Sequence, residues 1–155
     1  PLVSAVLEAQ NAAERPDLTR LGLEFDAGEQ LSFGERVIRD CGYDFGRGRQ
    51  DLTHHPFMTR LGDHDLRITT RVRLDDPTDA LYSTLHEAGH AFHYMWGSAT
   101  QPSYFNQGSP IEFAEVASMT MELMTMPYWD EYYQTEESAN RARRVACLPR
   151  PARSR

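Results

Sequence analysis

The sequence has few cysteines and lacks any long apolar run. Cys41 and Cys147 are its two cysteines, too few and too far apart for the disulfide framework of a small secreted domain. No run of about 18 apolar residues is present, so no membrane span is predicted. No basic-then-apolar leader stands at the start, so no signal peptide is predicted. We therefore expect a soluble protein of a reducing cytosol.

Positive charge is also scarce. The chain has 16 Lys and Arg against 23 Asp and Glu, a formal net charge of -7, which argues against nucleic acid or an anionic membrane as the main partner. A length of 155 residues fits one modest core, which we assign to residues 1–146. The basic, proline-containing segment 147–155 is predicted to be a disordered tail. Since the chain also starts without Met, we expect a fragment of a longer protein or a chain with a replaced tail.

Hydrophobic periodicity predicts a mainly α-helical chain with one small β element. Residues 65–74 alternate between apolar side chains and a basic face, which predicts a strand. Residues 42–62 contain glycines and a His-Pro step and predict a loop or short extended pieces, and 97–109 predict a polar loop. Helical patterns or helix-compatible stretches occupy 1–15, about 27–41, 78–96, 110–126 and 128–145.

The pentapeptide HEAGH at 86–90 is a zinc-peptidase signature. On a helix, residues four apart lie one above the other, so His86 and His90 can bind one metal ion, and Glu87 flanks the open side where a water would sit. A catalytic zinc site needs a third protein ligand. A histidine six residues after His90 is one known solution, but Trp96 stands at that position.

A glutamate from the following helix is the other solution. Glu112, Glu115 and Glu122 fall close to one helical face of an apolar segment, where unpaired carboxylates are costly to bury unless they bind a cation. We expect Glu115 to complete a site for one Zn²⁺ per chain; the alternative is a solvent-facing polar stripe. Glu112 and Glu122 either orient the ligand histidines or are exposed. Glycine in a helix interior costs about 1 kcal/mol relative to alanine, so Gly89 needs a packing or functional reason. Close approach of another backbone is one such reason.

Two further motifs precede the HEAGH pentapeptide: HPF begins at His55 and DLRIT begins at Asp65. The three motifs in this order resemble the carboxypeptidase Taq family, whose members carry HPF and DxRxT before the zinc helix, and the resemblance covers about residues 30–95. It implies a zincin-like catalytic core with an HExxH helix and a following glutamate-ligand helix. It also implies that His55 and Arg67 lie near the substrate, where a guanidinium can pair with a terminal carboxylate. The alternative for Arg67 is a solvated or Asp-paired strand face.

The segment at about 86–126 resembles a second group of glutamate-ligand peptidases, oligoendopeptidase F and thimet oligopeptidase, in which the residue matching Glu115 is the third zinc ligand. Together the resemblances imply a zinc metallopeptidase that hydrolyses peptide bonds with a metal-activated water, with Glu87 as the general base. A metallocarboxypeptidase that removes C-terminal residues is the favoured interpretation. The alternatives are an oligoendopeptidase that cleaves short peptides internally, an inactive zinc-binding fragment and a metal-free helical domain. The resemblance further suggests a cytoplasmic enzyme with a peptide substrate, and a homodimer.

Overall fold

Helices dominate the part of the chain that the structure describes. The structure is a computed structural model and describes residues 26–63, 65–74, 77–133 and 135–146. The helix predicted at 1–15 and the tail predicted at 147–155 lie outside the described residues. The chain divides into two compact units, residues 24–128 and a second unit of 1–23 with 129–155. A single core over 1–146 stays a prediction.

Helix α1 (Ala27–Asp40) confirms the helix predicted at about 27–41. It begins with a capping box: the Asp26 side chain accepts a 2.8 Å hydrogen bond from the Glu29 N–H, and the Glu29 carboxylate accepts one of 3.0 Å from the Asp26 N–H. Val37 and Ile38 are fully buried and define its inner face.

The sheet has three strands in the order β1-β3-β2. Strand β1 (Gly48–Leu52) runs parallel to the central β3 (Asp65–Thr70), and β2 (Phe57–Gly62) runs antiparallel to it. The alternation that predicted a strand at 65–74 is confirmed over β3, whose inward side chains are buried. Strands β1 and β2 are the short extended pieces predicted within 42–62. They lack alternation because both are sheet edges with mixed burial.

The long helix α2 (Pro77–Thr100) carries the signature and packs against the sheet, α1 and the next helix. The sequence predicted an end near residue 96, but the helix continues for four more residues. Gly97 explains the difference. A Cβ at Gly97 would overlap the backbone carbonyl of Gln107, so this glycine permits a close contact with the next loop and does not end the helix.

Helix α3 (Ile111–Met124) follows a 3₁₀ turn at Tyr104–Asn106 and lies against α2. Pro110 directly precedes it and Thr125 ends it, so the helix predicted at 110–126 is confirmed to within two residues at its end. A second 3₁₀ turn, Met126–Tyr128, closes this unit.

In the second unit, the single segment predicted at 128–145 is divided into α4 (Trp129–Tyr132) and α5 (Glu136–Ala146). An ion pair of 2.8 Å joins Arg143 to Asp130 within this unit. The described elements thus confirm a mainly helical fold with a small sheet. None of the helices that the structure describes is long and apolar enough to span a membrane.

Candidate metal centre

Helices α2 and α3 bring the three predicted ligands together. Donor atoms of His86, His90 and Glu115 all lie within 4.8 Å of one another. His86 Nε2 is 3.3 Å from Glu115 Oε2, and His90 Nε2 is 3.7 Å from Glu115 Oε1. Two ligands at about 2.1 Å from a tetrahedral zinc lie roughly 3.4 Å apart. The residues therefore fit zinc in both donor chemistry and spacing.

Gly89 accounts for the close approach of the two helices. A Cβ at this position would lie 2.5 Å from the Ser118 Cα and 2.8 Å from the Ala117 carbonyl oxygen. The backbones of α2 and α3 therefore touch beside the ligands, as the helix-interior glycine predicted. Ser118 lies one turn after Glu115, and its Oγ donates to Glu115 Oε2 over 3.1 Å. This hydrogen bond orients the carboxylate of the candidate third ligand.

The ring nitrogen of His86 that does not face Glu115 is held by a hydrogen bond. His86 Nδ1 donates to Glu122 Oε1 over 2.9 Å, and the Glu122 side chain is buried. Because a carboxylate only accepts, this bond fixes the proton on Nδ1 and leaves the Nε2 lone pair of a neutral ring for a metal. The backbone of Ala114 acts to raise the pKa of His90, against the net fall. Of the two glutamates expected to orient a histidine, Glu122 contacts one, whereas Glu112 is exposed to solvent.

Burial and charge shift the pKa values of the cluster. Burial raises the pKa of Glu87, as does the Glu115 charge, while His86 and a backbone N–H act against the rise. Burial lowers the pKa of His90, and the His86 charge adds to that. Burial also acts to lower the pKa of His86, but its bond to Glu122 and three nearby carboxylates outweigh burial, and the net shift is upward. A half-buried carboxylate with a raised pKa is suited to exchange protons near neutral pH.

The backbone of β2 also contributes to the site. The backbone N–H of Met58 acts to lower the pKa of the Glu87 carboxyl, against the net rise. Phe57, the preceding residue, directs its own N–H toward β3, onto Thr69 Oγ1 at 2.9 Å. Since successive N–H groups of a strand point to opposite sides, the Met58 N–H is directed to the free edge of the sheet. Sequence reasoning missed this influence because a backbone N–H has no residue signature.

His55 and Arg67 occupy different environments. His55 is exposed. It acts against the rise in the pKa of Glu87, so its ring lies within electrostatic reach of the cluster. Arg67 donates two hydrogen bonds, of 2.9 and 2.8 Å, to the carboxylate of Asp65. This is the Asp-paired alternative for the strand face. A substrate-binding role for either residue stays a prediction.

Helix α3 turns Glu115 and Glu122 inward and most of its large apolar residues outward. Glu115 and Glu122 face α2, with side chains 42% and 11% exposed, which is the reverse of an ordinary amphipathic helix. The ligand cluster and the bond to His86 account for the inward carboxylates. Large apolar side chains of this helix that are 54–67% exposed are Ile111, Phe113, Val116, Met119, Leu123 and Met124.

The chain is similar to carboxypeptidases in sequence and in structure. The sequence model of the carboxypeptidase Taq (M32) metallopeptidases matches residues 1–142. Carboxypeptidase 1 from Bacillus subtilis (strain 168) is 31% identical over 144 residues, which are 90% of this chain and 28% of the relative. Thermostable carboxypeptidase 1 from Thermus thermophilus is 39% identical over 127 residues, 79% of this chain and 25% of the relative.

A solved structure shows the same likeness. The crystal structure of an M32 carboxypeptidase from Deinococcus radiodurans R1 superposes with a TM-score of 0.76 at 45% sequence identity, and the match covers 92% of this chain and 32% of that one. The chain therefore spans about a third or less of the length of these relatives.

Proposed function

Because the chain belongs to the carboxypeptidase Taq (M32) metallopeptidase family, we propose that it holds the zinc-binding core of a metallocarboxypeptidase that removes residues from the C-terminus of peptides. The convergence of His86, His90 and Glu115 beside Glu87 carries the proposal. Family membership implies a metal, and two imidazoles with one carboxylate form a donor set that catalytic zinc sites use, with one position left for water or substrate.

The residues around this donor set divide the work of hydrolysis. Bound zinc would supply a Lewis acid that polarises the peptide carbonyl and acidifies water. Glu87 takes one proton from the attacking water while the water oxygen bonds to the carbonyl carbon. Glu87 then delivers that proton to the peptide nitrogen as the C–N bond breaks, so the carboxylate is regenerated. Its raised pKa supports both transfers.

Zinc analysis with a peptide assay tests this function. We expect one zinc per chain and a ladder of products that shortens from the C-terminus. Glu87→Gln should keep the zinc and lower turnover by on the order of 10²–10⁴-fold, the range for loss of a general base. Glu35→Gln is the matched control, because Glu35 lies on α1 and pairs with Arg39; it should not change turnover.

Other outcomes separate the alternatives. Full activity of Glu87→Gln would contradict the mechanism, internal fragments would indicate an oligoendopeptidase, and bound zinc without cleavage would indicate an inactive zinc-binding fragment. A cytoplasmic location, the homodimer and the absence of a nucleic-acid partner stay predictions. They rest on charge and family resemblance and require measurements of their own.

A further inference from the structure

Tyr104 and Phe105 form an exposed aromatic pair in the 3₁₀ turn that follows α2. The two residues are 60% and 91% exposed, and their rings are perpendicular, with centres 5.9 Å apart. Phe105 is the most exposed large apolar residue in the part of the chain that the structure describes. Keeping an aromatic ring in water is unfavourable, and the proposed mechanism gives this pair no role.

Arg60 of β2 holds the turn in place. Its side chain is 7% exposed, pairs with Asp63 and donates a hydrogen bond to the Gln107 side chain. Its guanidinium carbon lies 4.4 Å from the ring centre of Tyr104, a cation–π contact. Gln107 in turn donates to the Gln101 carbonyl over 2.9 Å. The Tyr104 ring is therefore fixed before any ligand binds, which lowers the entropy cost of binding to it.

Helix α2 connects this pair to the metal centre. Tyr94 lies four residues after His90, so its side chain projects one turn further along the same face, about 6 Å away. Seven residues separate Glu87 from Tyr94, about two turns, so the general base lies on this face as well. The Arg60 guanidinium carbon is 5.8 Å from the Tyr94 ring centre and 4.4 Å from that of Tyr104. The aromatic pair is thus roughly 10–15 Å from the ligands, beyond them along α2.

An extended peptide bound at the metal centre can span this distance. Each residue advances the chain by about 3.3 Å, so 10–15 Å corresponds to about three to five residues. A carboxypeptidase releases a single residue on the C-terminal side of the cleaved bond, and this residue is too short to reach the pair. The part of the substrate that can reach it is therefore the retained, N-terminal part.

We propose that Tyr104 and Phe105 bind a large apolar side chain of the substrate, about four residues before the cleaved bond. This inference rests on the proposed function, because it assigns which part of the peptide the chain recognises. The perpendicular rings offer two surfaces, onto which a further aromatic ring packs in the offset or edge-to-face arrangement that such rings prefer. Binding removes the exposed surface of Phe105 from water.

Peptides that differ at one position test this subsite. A phenylalanine four residues before the cleaved bond should lower KM about tenfold relative to alanine at that position. The value of kcat should change little, because the contact is the same in the ground state and in the transition state. This preference should disappear in Phe105→Ser and fall in Tyr104→Ala, whereas Tyr104→Phe keeps the ring and should retain it. A blocked dipeptide, too short to reach the pair, should be cleaved equally by all four proteins.

A matched control and a measurement of binding complete the test. Leu52→Ser removes a residue of similar exposure, 59%, from the opposite edge strand β1; it should leave the preference unchanged. Glu87→Gln should turn peptide over slowly, so calorimetry on this variant measures affinity directly. The phenylalanine peptide should bind to it about tenfold more tightly than the alanine peptide. Adding Phe105→Ser should remove that difference.

The outcomes separate this inference from the function on which it rests. Cleavage without a preference for phenylalanine, or with a preference that survives in Phe105→Ser, overturns the inference and leaves the function in place. A wild type that holds zinc and cleaves nothing, while Glu87→Gln binds the phenylalanine peptide through Phe105, supports the inference and contradicts the function. A protein that neither cleaves nor binds peptide contradicts both. A dimer that dissociates in Phe105→Ser would assign the pair to an interface between copies of this chain and overturn the inference.

Discussion

Gly89→Ala tests whether the contact between α2 and α3 sets the geometry of the metal centre. The added methyl carbon would lie 2.5 Å from the Ser118 Cα and 2.8 Å from the Ala117 carbonyl oxygen. Both are backbone atoms of a helix, so no side-chain rotation relieves the overlap. Since non-bonded carbon atoms prefer about 3.5–4.0 Å, the helices must separate by about 1 Å.

Two effects of this substitution oppose each other. Alanine is favoured over glycine in a helix interior by about 1 kcal/mol, whereas an extra methyl group in a tight contact costs about 1–3 kcal/mol. Because the neighbours here are backbone atoms, we expect the cost to reach the upper part of that range. The net loss in the free energy of unfolding of the metal-free protein should then be about 1–2 kcal/mol.

Zinc affinity should respond as well. Glu115 lies one turn before Ser118, so a separation of the helices moves its carboxylate away from His86 and His90, now 3.3 and 3.7 Å distant. We expect the affinity to fall by about tenfold or more, which corresponds to about 1.4 kcal/mol. The loss in the free energy of unfolding caused by Gly89→Ala should therefore be larger in the presence of zinc than in its absence.

Urea unfolding with and without zinc, together with competition against a chromogenic chelator, measures both effects. Gly62→Ala is the control, because a Cβ at Gly62 would meet no heavy atom within 4 Å; it should leave zinc affinity unchanged. A Gly89→Ala protein that matches the wild type in stability and in zinc affinity would contradict this role of the helix contact. Loss of stability with unchanged affinity would show that the helix contact does not position Glu115.

Three more predictions concern the ligands and the core. Glu122→Ala should weaken zinc binding about 10–100-fold, because the His86 ring loses the bond that orients it. Glu122→Gln keeps an acceptor oxygen and should weaken zinc binding less. Equal zinc affinities of the wild type and both variants in chelator competition would contradict this prediction. At a free zinc concentration of about 1,000 times the Kd for zinc, removal of the metal with a chelator should lower the free energy of unfolding by about 4 kcal/mol, as measured by urea titration. An unchanged free energy of unfolding would argue against zinc binding to the folded state. Tyr43→Phe should cost about 1–3 kcal/mol in urea unfolding, since the buried Tyr43 hydroxyl donates to the Leu66 carbonyl over 2.5 Å. Burial, with nearby carboxylates, raises the pKa of Tyr43 to about 12. The phenol ionises near pH 10 in the unfolded chain, so the stability that Tyr43 contributes is complete below about pH 10 and lost by about pH 12. In a pH series, the difference in the free energy of unfolding between the wild type and Tyr43→Phe should therefore disappear over this range.

The helical part of the site could be predicted from local pattern. His86 and His90 are four residues apart, so a helix alone places them on one face, and no tertiary information is needed. Glu115 needed one further step, because its carboxylate stood in apolar sequence and required a reason to be buried. Even there the sequence did not show which side of α3 is inside, because most of its large apolar side chains are exposed and Met121 is buried.

The contributions of β2 could not be predicted, for a different physical reason. Register and strand pairing decide which backbone groups of Met58 point to the free edge, and no alternation marked residues 57–62 as a strand. Arg60 resembled any other arginine, because its partners Tyr104 and Gln107 come from a loop more than 40 residues away. Contacts between distant segments leave no periodic signal.

This difference between side-chain and backbone contributions determines where substitutions act. Changes at His86 or Glu115 remove donor atoms directly. The backbone of Met58 acts on the pKa of Glu87 through an N–H that every residue except proline provides. We therefore expect substitutions of the Met58 side chain to leave that influence unchanged.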